Sequence, residues 1–231
     1  MTQKTQPEAA LYFVGDQLLF EHRNHQGAII RKCLSPDAAR QAFTDEPVDS
    51  GWLSPQVIRW GQSHMGPWCL QRHDPQRYTL RLNPPILHPT TRTPLHMLCV
   101  TLPGLLFLGL KRTYYLWAYR QWKDDLTTLY HAPLPNIHED GRICFGSARP
   151  PIVTGTTIAD AWRLFWDSHF NQDLSRHRTR RETGNVLEFL TELHSETEPS
   201  RPFPQHELRP TNSTVGDLIR QLAQRTPRGK E

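Results

Sequence analysis

Four cysteines, Cys33, Cys69, Cys99 and Cys144, hold the chain's clearest capacity for covalent chemistry, and none stands in a CxxC or zinc-like spacing with another. Cys33 closes the strand-like run GAIIRKCL, Cys69 lies in GPWCL, and Cys99 sits between Leu98 and Val100. In such runs a cysteine is expected to pack as a small hydrophobe. Cys144 has a different context. It ends the stretch PNIHEDGRIC, Pro135 to Cys144. Pro135 pushes Leu134 toward an extended conformation, and Asp140-Gly141 signals a turn because glycine accepts positive φ. Pro150-Pro151 then prevents a long strand. The thiol therefore sits at the end of a short element in a constrained loop, the kind of position where rigid scaffolds present reactive groups.

A free thiol ionises near pH 8.5, so nucleophilic use requires help for the thiolate. Arg142, Arg149, His131 and His138 are the nearby residues able to give it. Asn136, eight residues before Cys144, can donate its amide to a developing oxyanion, a contribution of roughly 3 kcal/mol in other enzymes. It can equally brace the loop through backbone bonds. The opposing reading makes Cys144 a small buried hydrophobe and Asn136 a turn residue. On these residues alone the second reading is the favoured one.

The elements that must position this loop follow from pattern. LYFVGDQLLF, Leu11 to Phe20, reads as a hairpin about Gly15-Asp16, with a third strand in GAIIRKCL and a short helix in SPDAARQAF, Ser35 to Phe43. DEPVDSGWLSPQVIRWG is a turn-rich connection, and GPWCLQRHDPQRYTLRL gives two strands about a His73-Asp74-Pro75 turn. NPPILHPTTRTP resets the chain before LHMLCVTLPGLLFLGLKRTYYLWAYR, read as two or three central strands, and QWKDDLTTLYHAPL leaves the sheet. TTIADAWRLFWDSHF is the clearest helix. Ile158, Ala161, Trp162, Phe165 and Trp166 share one face, Thr156 or Thr157 caps it, and Asp160 lies in its first turn. A second helix is expected over Asn185 to His194. SETEPSRPFPQHELRPTNS reads as a linker, followed by a stripe of Val215, Leu218, Ile219 and Leu222 on a helix too short to be stable alone. That helix must dock on the domain or on a partner. Strands precede helices, which indicates an α+β fold. The expected organisation is a main domain over 1–194 that includes an N-terminal extension of the sheet, a Pro-rich linker over 195–213, and a terminal helix and tail over 214–231.

Composition narrows the classes. The chain has 231 residues, 37% hydrophobic, with seven Trp and twenty clustered Pro. That suffices for a sizeable core and excludes a largely disordered chain. Its longest apolar run, LPGLLFLGL, is too short to span a bilayer, and the start MTQKTQPEAALYF lacks a signal-peptide pattern. A cytoplasmic protein with reduced thiols is expected. Twelve His are scattered without an HxxxH or HxH pair, so neither a metal nor any other cofactor is expected. The net charge of +4 comes from dispersed basic residues and one dense run, RHRTRR at Arg176 to Arg181. That run is read as a solvated face rather than a nucleic-acid site, since no aromatic residues interleave with it.

PNIHEDGRIC also resembles the active-site segment of ubiquitin-conjugating enzymes, where a His-Pro-Asn-Ile stretch is followed by a Gly and then Ile-Cys. Pro135, Asn136, Ile137, Gly141, Ile143 and Cys144 fall in matching register. PPIVTGTTIADAW resembles the Pro-rich turn and helix entry after that family's cysteine. SGWLSPQVIRWG, LPNIHEDGRICFG and AWRLFWDSHFN narrow the resemblance to the prokaryotic branch, and within it to the protein B family of the PRTRC system. Those proteins are encoded in mobile-element or plasmid cassettes. The resemblance implies an antiparallel meander sheet flanked by helices, with an extra N-terminal strand-rich portion. It implies a conjugating enzyme in which Cys144 accepts a ubiquitin-like protein as a thioester from an adenylating, ubiquitin-activating-like enzyme. Asn136 would stabilise the oxyanion or brace the loop, and those two proteins would be the partners. The chain departs from the motif at three places. Leu134 occupies the position of the His, Phe145-Gly146 follows the cysteine where Leu-Asp is common, and the Trp that often comes soon after is missing. Asp140 and Asp160 are the acids available as substitutes. Two other readings compete: a non-catalytic module that holds a ubiquitin-like protein on the same fold, and a nucleic-acid-associated maintenance factor.

Overall fold

The computed structural model describes residues 9–15, 17–24, 26–35, 51–63, 65–181, 184–194 and 201–223. It divides into two compact units, Met1–Ser50 and Gly51–Glu231.

In the first unit, β1 (Ala9–Val14), β2 (Gln17–Arg23) and β3 (Ile29–Leu34) form an antiparallel sheet of their own in that order. Gly15, at φ +58°, makes the β1–β2 turn in the left-handed region. The β2–β3 connection is shaped by Asn24, whose Oδ1 accepts from the amides of Gln26 (3.0 Å) and Ala28 (2.9 Å). The three strands are where the residues placed them, but as a separate sheet rather than an extension of the main one. Cys33 is exposed, not core, because β3 exposes nearly its whole length. The helix expected over Ser35 to Phe43 falls, after Ser35, outside the described residues.

The second unit is built on a six-stranded antiparallel sheet. Its strands are β4 (Val57–Ser63), β5 (Gly66–His73), β8 (Gly104–Leu110), β9 (Thr113–Tyr119), β10 (Thr128–His131) and β12 (Pro210–Thr214), ordered β12-β10-β9-β8-β5-β4. Between β5 and β8 the chain leaves to make the long hairpin β6 (Gln76–Leu87) and β7 (Pro94–Leu102). The two-residue β11 (His169–Phe170) joins it, running parallel to β6. The His73-Asp74-Pro75 turn thus carries the chain from one sheet to the other instead of pairing its flanking strands. The helices are α1 (Ile158–Asp167), α2 (Val186–Leu193) and α3 (Val215–Ala223). The result is α+β.

The main core lies where α1 and α2 meet the sheets. Cys69, Leu80, Leu98, Val100, Phe107, Phe165 and Phe170 are all at most 1% exposed there. Cys69 is core as expected, while Cys99 is only half-buried. In α1, Ile158, Ala161 and Phe165 bury fully and Trp162 and Trp166 pack at the margin. Thr157 is the N-cap residue, but its hydroxyl donates to Ile152 O at 2.7 Å, so it fixes the preceding turn. Asn185 caps α2, accepting from the Leu187 amide at 2.9 Å.

The other face of the large sheet carries α3. Val215 and Leu222 bury there against Leu70, Leu106, Leu108, Trp117 and Leu129, with Leu218 and Ile219 partly buried beside them. The terminal helix therefore docks on its own unit. It is entered through a reciprocal cap in which Asp217 Oδ2 accepts from the Thr214 amide (2.8 Å) and the Asp217 amide donates to Thr214 Oγ1 (3.2 Å). Two segments differ from expectation. QWKDDLTTLYHAPL does not leave the sheet, since it contains β10, and the described part of the expected 195–213 linker contributes most of edge strand β12. Both strands are short and polar at the rim, so neither shows a clear alternating pattern.

Candidate active site

Pro135 to Cys144 form a small hairpin that continues the large sheet. After β10, Ala132 to Pro135 run buried through the core and deliver Asn136 at φ +60°, a left-handed position that asparagine tolerates better than most residues. The first arm is Asn136–His138. The turn closes with the Gly141 amide on His138 O (2.9 Å), and Asp140 Oδ1 accepts from the Arg142 amide (2.9 Å). The return arm pairs back through His138 N to Arg142 O (2.7 Å), the Ile137–Ile143 bridge and Cys144 N to Asn136 O (2.8 Å). Ile137 and Ile143 are 0% and 6% exposed, so the core anchors both arms.

The return arm also takes the part of β9 that β10 leaves open. β10 pairs with Trp117 and Ala118 only, while Leu116 N donates to Gly141 O and Ile143 N to Tyr114 O, each at 2.8 Å. Gly141 is required twice over. Its φ is +90°, and a Cβ there would lie 2.7 Å from the Trp117 indole.

Cys144 is exposed at the open end of this hairpin. The buried-hydrophobe reading does not describe it. Among the described residues no hydrogen-bond partner reaches its Sγ. The chain on its far side is tied down. Phe145 meets Tyr114 edge-on at 5.9 Å, the Ala148 amide donates to Phe145 O (3.1 Å), Arg112 Nη1 to Pro150 O (2.9 Å) and Tyr114 OH to Pro151 O (2.9 Å).

The structure brings Asn136 and Cys144 together through the main chain. The Asn136 side chain points elsewhere, with Nδ2 donating to His169 O at 3.0 Å while its own amide donates to Asp173 O at 3.1 Å. In this geometry Asn136 is a brace tying the hairpin to β11 and the loop after it. Of the basic groups near Cys144 in sequence, Arg142 is 3.9 Å from Asp140 across the turn, and Arg149 is exposed. His131 lies half-buried on β10, where burial, then Arg178 and Arg209, push its pKa down and favour the neutral ring. None of these, nor His138, bonds to the thiol. Asp140 is engaged within the turn and Asp160 pairs with Arg163. Leu134, at the position of the motif's His, is fully buried in the core.

The basic run Arg176 to Arg181 is solvated at Arg176, His177, Arg180 and Arg181, which are exposed, but not throughout. Arg178 and Thr179 are 5% and 7% exposed. Arg180 Nε donates to Leu208 O (3.2 Å), and Arg181 pairs with Glu192 (2.7 Å) and Glu207 (3.3 Å) while stacking over Phe189. Their partners lie 26 or 28 residues away for Arg180 and for the Arg181–Glu207 pair, a separation invisible to a local reading. No group of His, Cys, Asp and Glu able to hold a metal occurs among the described residues, and no helix among them is long and apolar enough to cross a membrane.

The model of prokaryotic E2 family D matches residues 31–211 of this chain. The chain belongs to that family and is a ubiquitin-conjugating-like protein. No curated protein and no solved structure matches it significantly.

Proposed function

We propose that this member of prokaryotic E2 family D is a conjugating enzyme that carries a ubiquitin-like protein as a thioester on Cys144. The observation that carries the reading is the exposed thiol at the open end of a hairpin otherwise fixed by core and main-chain contacts. An adenylating enzyme would present the C-terminal carbonyl of the ubiquitin-like protein on its own cysteine. The Cys144 thiolate attacks that carbonyl, the tetrahedral oxyanion collapses, and the donor thiolate leaves. A substrate amine then attacks the Cys144 thioester, the C–S bond breaks as the amide forms, and the proton lost by the amine nitrogen balances the one that restores the thiol from the departing thiolate. Asn136 acts first as a brace, and contact of its amide with the oxyanion requires release from His169 O. The cassette we propose is the PRTRC system, with this chain as its protein B in the cytoplasm.

A specific observation favours a second reading. The Asn136 side-chain amide is committed to His169 O and, among the described residues, no carboxylate bonds to Sγ, as expected of a module that only holds the ubiquitin-like protein. One experiment separates them. The protein is mixed with the ubiquitin-like protein, its adenylating enzyme and ATP, and adducts are resolved with and without reducing thiol. A thiol-sensitive adduct lost in Cys144→Ala establishes the enzyme. Binding without an adduct establishes the module.

A further inference from the structure

Arg178 is 5% exposed, and its guanidinium is spent on three main-chain carbonyls. Nε donates to Leu174 O (3.0 Å), Nη1 to His138 O (3.1 Å), and Nη2 to Ile137 O. The last two belong to the first arm of the Cys144 hairpin. Two consecutive carbonyls are thus held by one planar fork, a geometry that guanidinium provides and a lysine ammonium does not.

A cation is costly to bury unless its donors are used. Here burial is the largest influence lowering the guanidinium pKa, Glu139 on the hairpin turn opposes it, and Arg209 adds to it. The loop carrying Arg178 is itself held. The Val186 amide donates to Ser175 O (2.9 Å), Thr179 bridges to Leu208, and Arg209 Nη1 donates to His177 O (2.8 Å). Leu174 and His177, at φ +53° and +59°, curl that loop on either side of Arg178. Asp173, next to Leu174, accepts from the Asn136 amide. The segment from His169 to Arg178 therefore forms a cradle for the arm Asn136–His138.

We infer that Arg178 is a positioning residue for Cys144. It fixes the arm Asn136–His138, and through the Ile137–Ile143 bridge and the Cys144 N–H···O bond to Asn136 it sets where the thiol stands. It touches no reacting atom. The inference rests on the reading of Cys144 as the acyl-accepting thiol.

The test uses the full chain, Arg178→Lys and Arg178→Met. Lysine keeps the charge but serves at most one hairpin carbonyl well, and it carries the test if the methionine variant fails to fold. Hydrogen exchange reports on the hairpin without any partner. The His138 and Cys144 amides should exchange at least tenfold faster in Arg178→Lys, with β8 amides unchanged. Single-turnover transfer to Cys144 from the charged adenylating enzyme should lose at least tenfold in maximal rate, with an unchanged half-saturating concentration. Activity should rank wild type, lysine, methionine. Wild-type exchange at both amides in the variants overturns the inference, as does a loss confined to half-saturation. A wild-type protein that forms no thioester overturns the proposed function instead. Accelerated exchange would then support the anchoring, and alkylation of Cys144 by iodoacetamide would replace transfer as its rate measure, with an unchanged alkylation rate overturning the positioning role.

Discussion

His73 ends β5 in the core, 6% exposed, stacked on Trp162 with centroids 3.8 Å apart, and its Nε2 lies 3.3 Å from Gln71 Oε1. Burial pushes its pKa down to about 4, against a smaller upward pull from Asp74. An unfolded histidine titrates near pH 6.5. As pH falls from 6.5 to 4 the unfolded chain takes up a proton that the folded protein refuses, so stability is full above this window, falls within it, and levels off below about pH 4. By pH 5 about 1.5 of the pKa units between 6.5 and 4 have been traversed, a loss of ~2 kcal/mol at 1.36 kcal/mol per unit. The perturbation is His73→Gln, which removes the titration. Urea unfolding followed by tryptophan fluorescence at pH 7.5 and pH 5 reads both proteins. Between those pH values the wild type should lose about 2 kcal/mol more than the variant, whatever the variant's absolute stability. Equal losses, with equal denaturant slopes, would refute the assignment of His73 as a neutral buried ring.

Asn136→Ala removes the bond to His169 O and forces alanine to φ +60°. It should destabilise by about 2 kcal/mol, a hydrogen bond plus the left-handed penalty. Asn136→Gly should recover the conformational part, and comparison of the two unfolding midpoints separates the contributions. Leu222→Ala, at a side chain 3% exposed beneath α3, should cost about 2 to 4 kcal/mol. Its signature is loss of hydrogen-exchange protection confined first to Val215–Ala223, and uniform loss across the sheet would contradict local docking.

What the residues revealed and what they hid follow from range. The α1 stripe, the α2 helix and the Asp140-Gly141 turn depend on neighbours within four or five positions, so pattern and turn chemistry located them. The exposure of Cys33 could not be read that way, because an apolar run does not state whether anything covers it. Nor could β10 and β12, which are strands because of the partners they meet across the sheet edge. The resemblance of PNIHEDGRIC aligned Cys144 with Asn136, but the direction of the Asn136 amide is set by a carbonyl 33 residues away.

The same consideration accounts for Leu134. A hydrogen-bonding ring at that position would face a fully buried site lined by core side chains, where an unsatisfied polar group costs several kcal/mol. Leucine fills the space instead, and anchoring of the hairpin moves to the opposite side. There His169 O, Asp173 O and the Arg178 fork hold three consecutive residues, Asn136 to His138. Loss of the motif's histidine therefore need not loosen the loop, since the restraint is supplied from the chain between β11 and α2. Introducing the histidine tests this directly. If the hairpin lacks support, Leu134→His should slow exchange at the Cys144 amide. With the cradle as its anchor, Leu134→His should lower the unfolding midpoint and leave that amide no better protected than in the wild type.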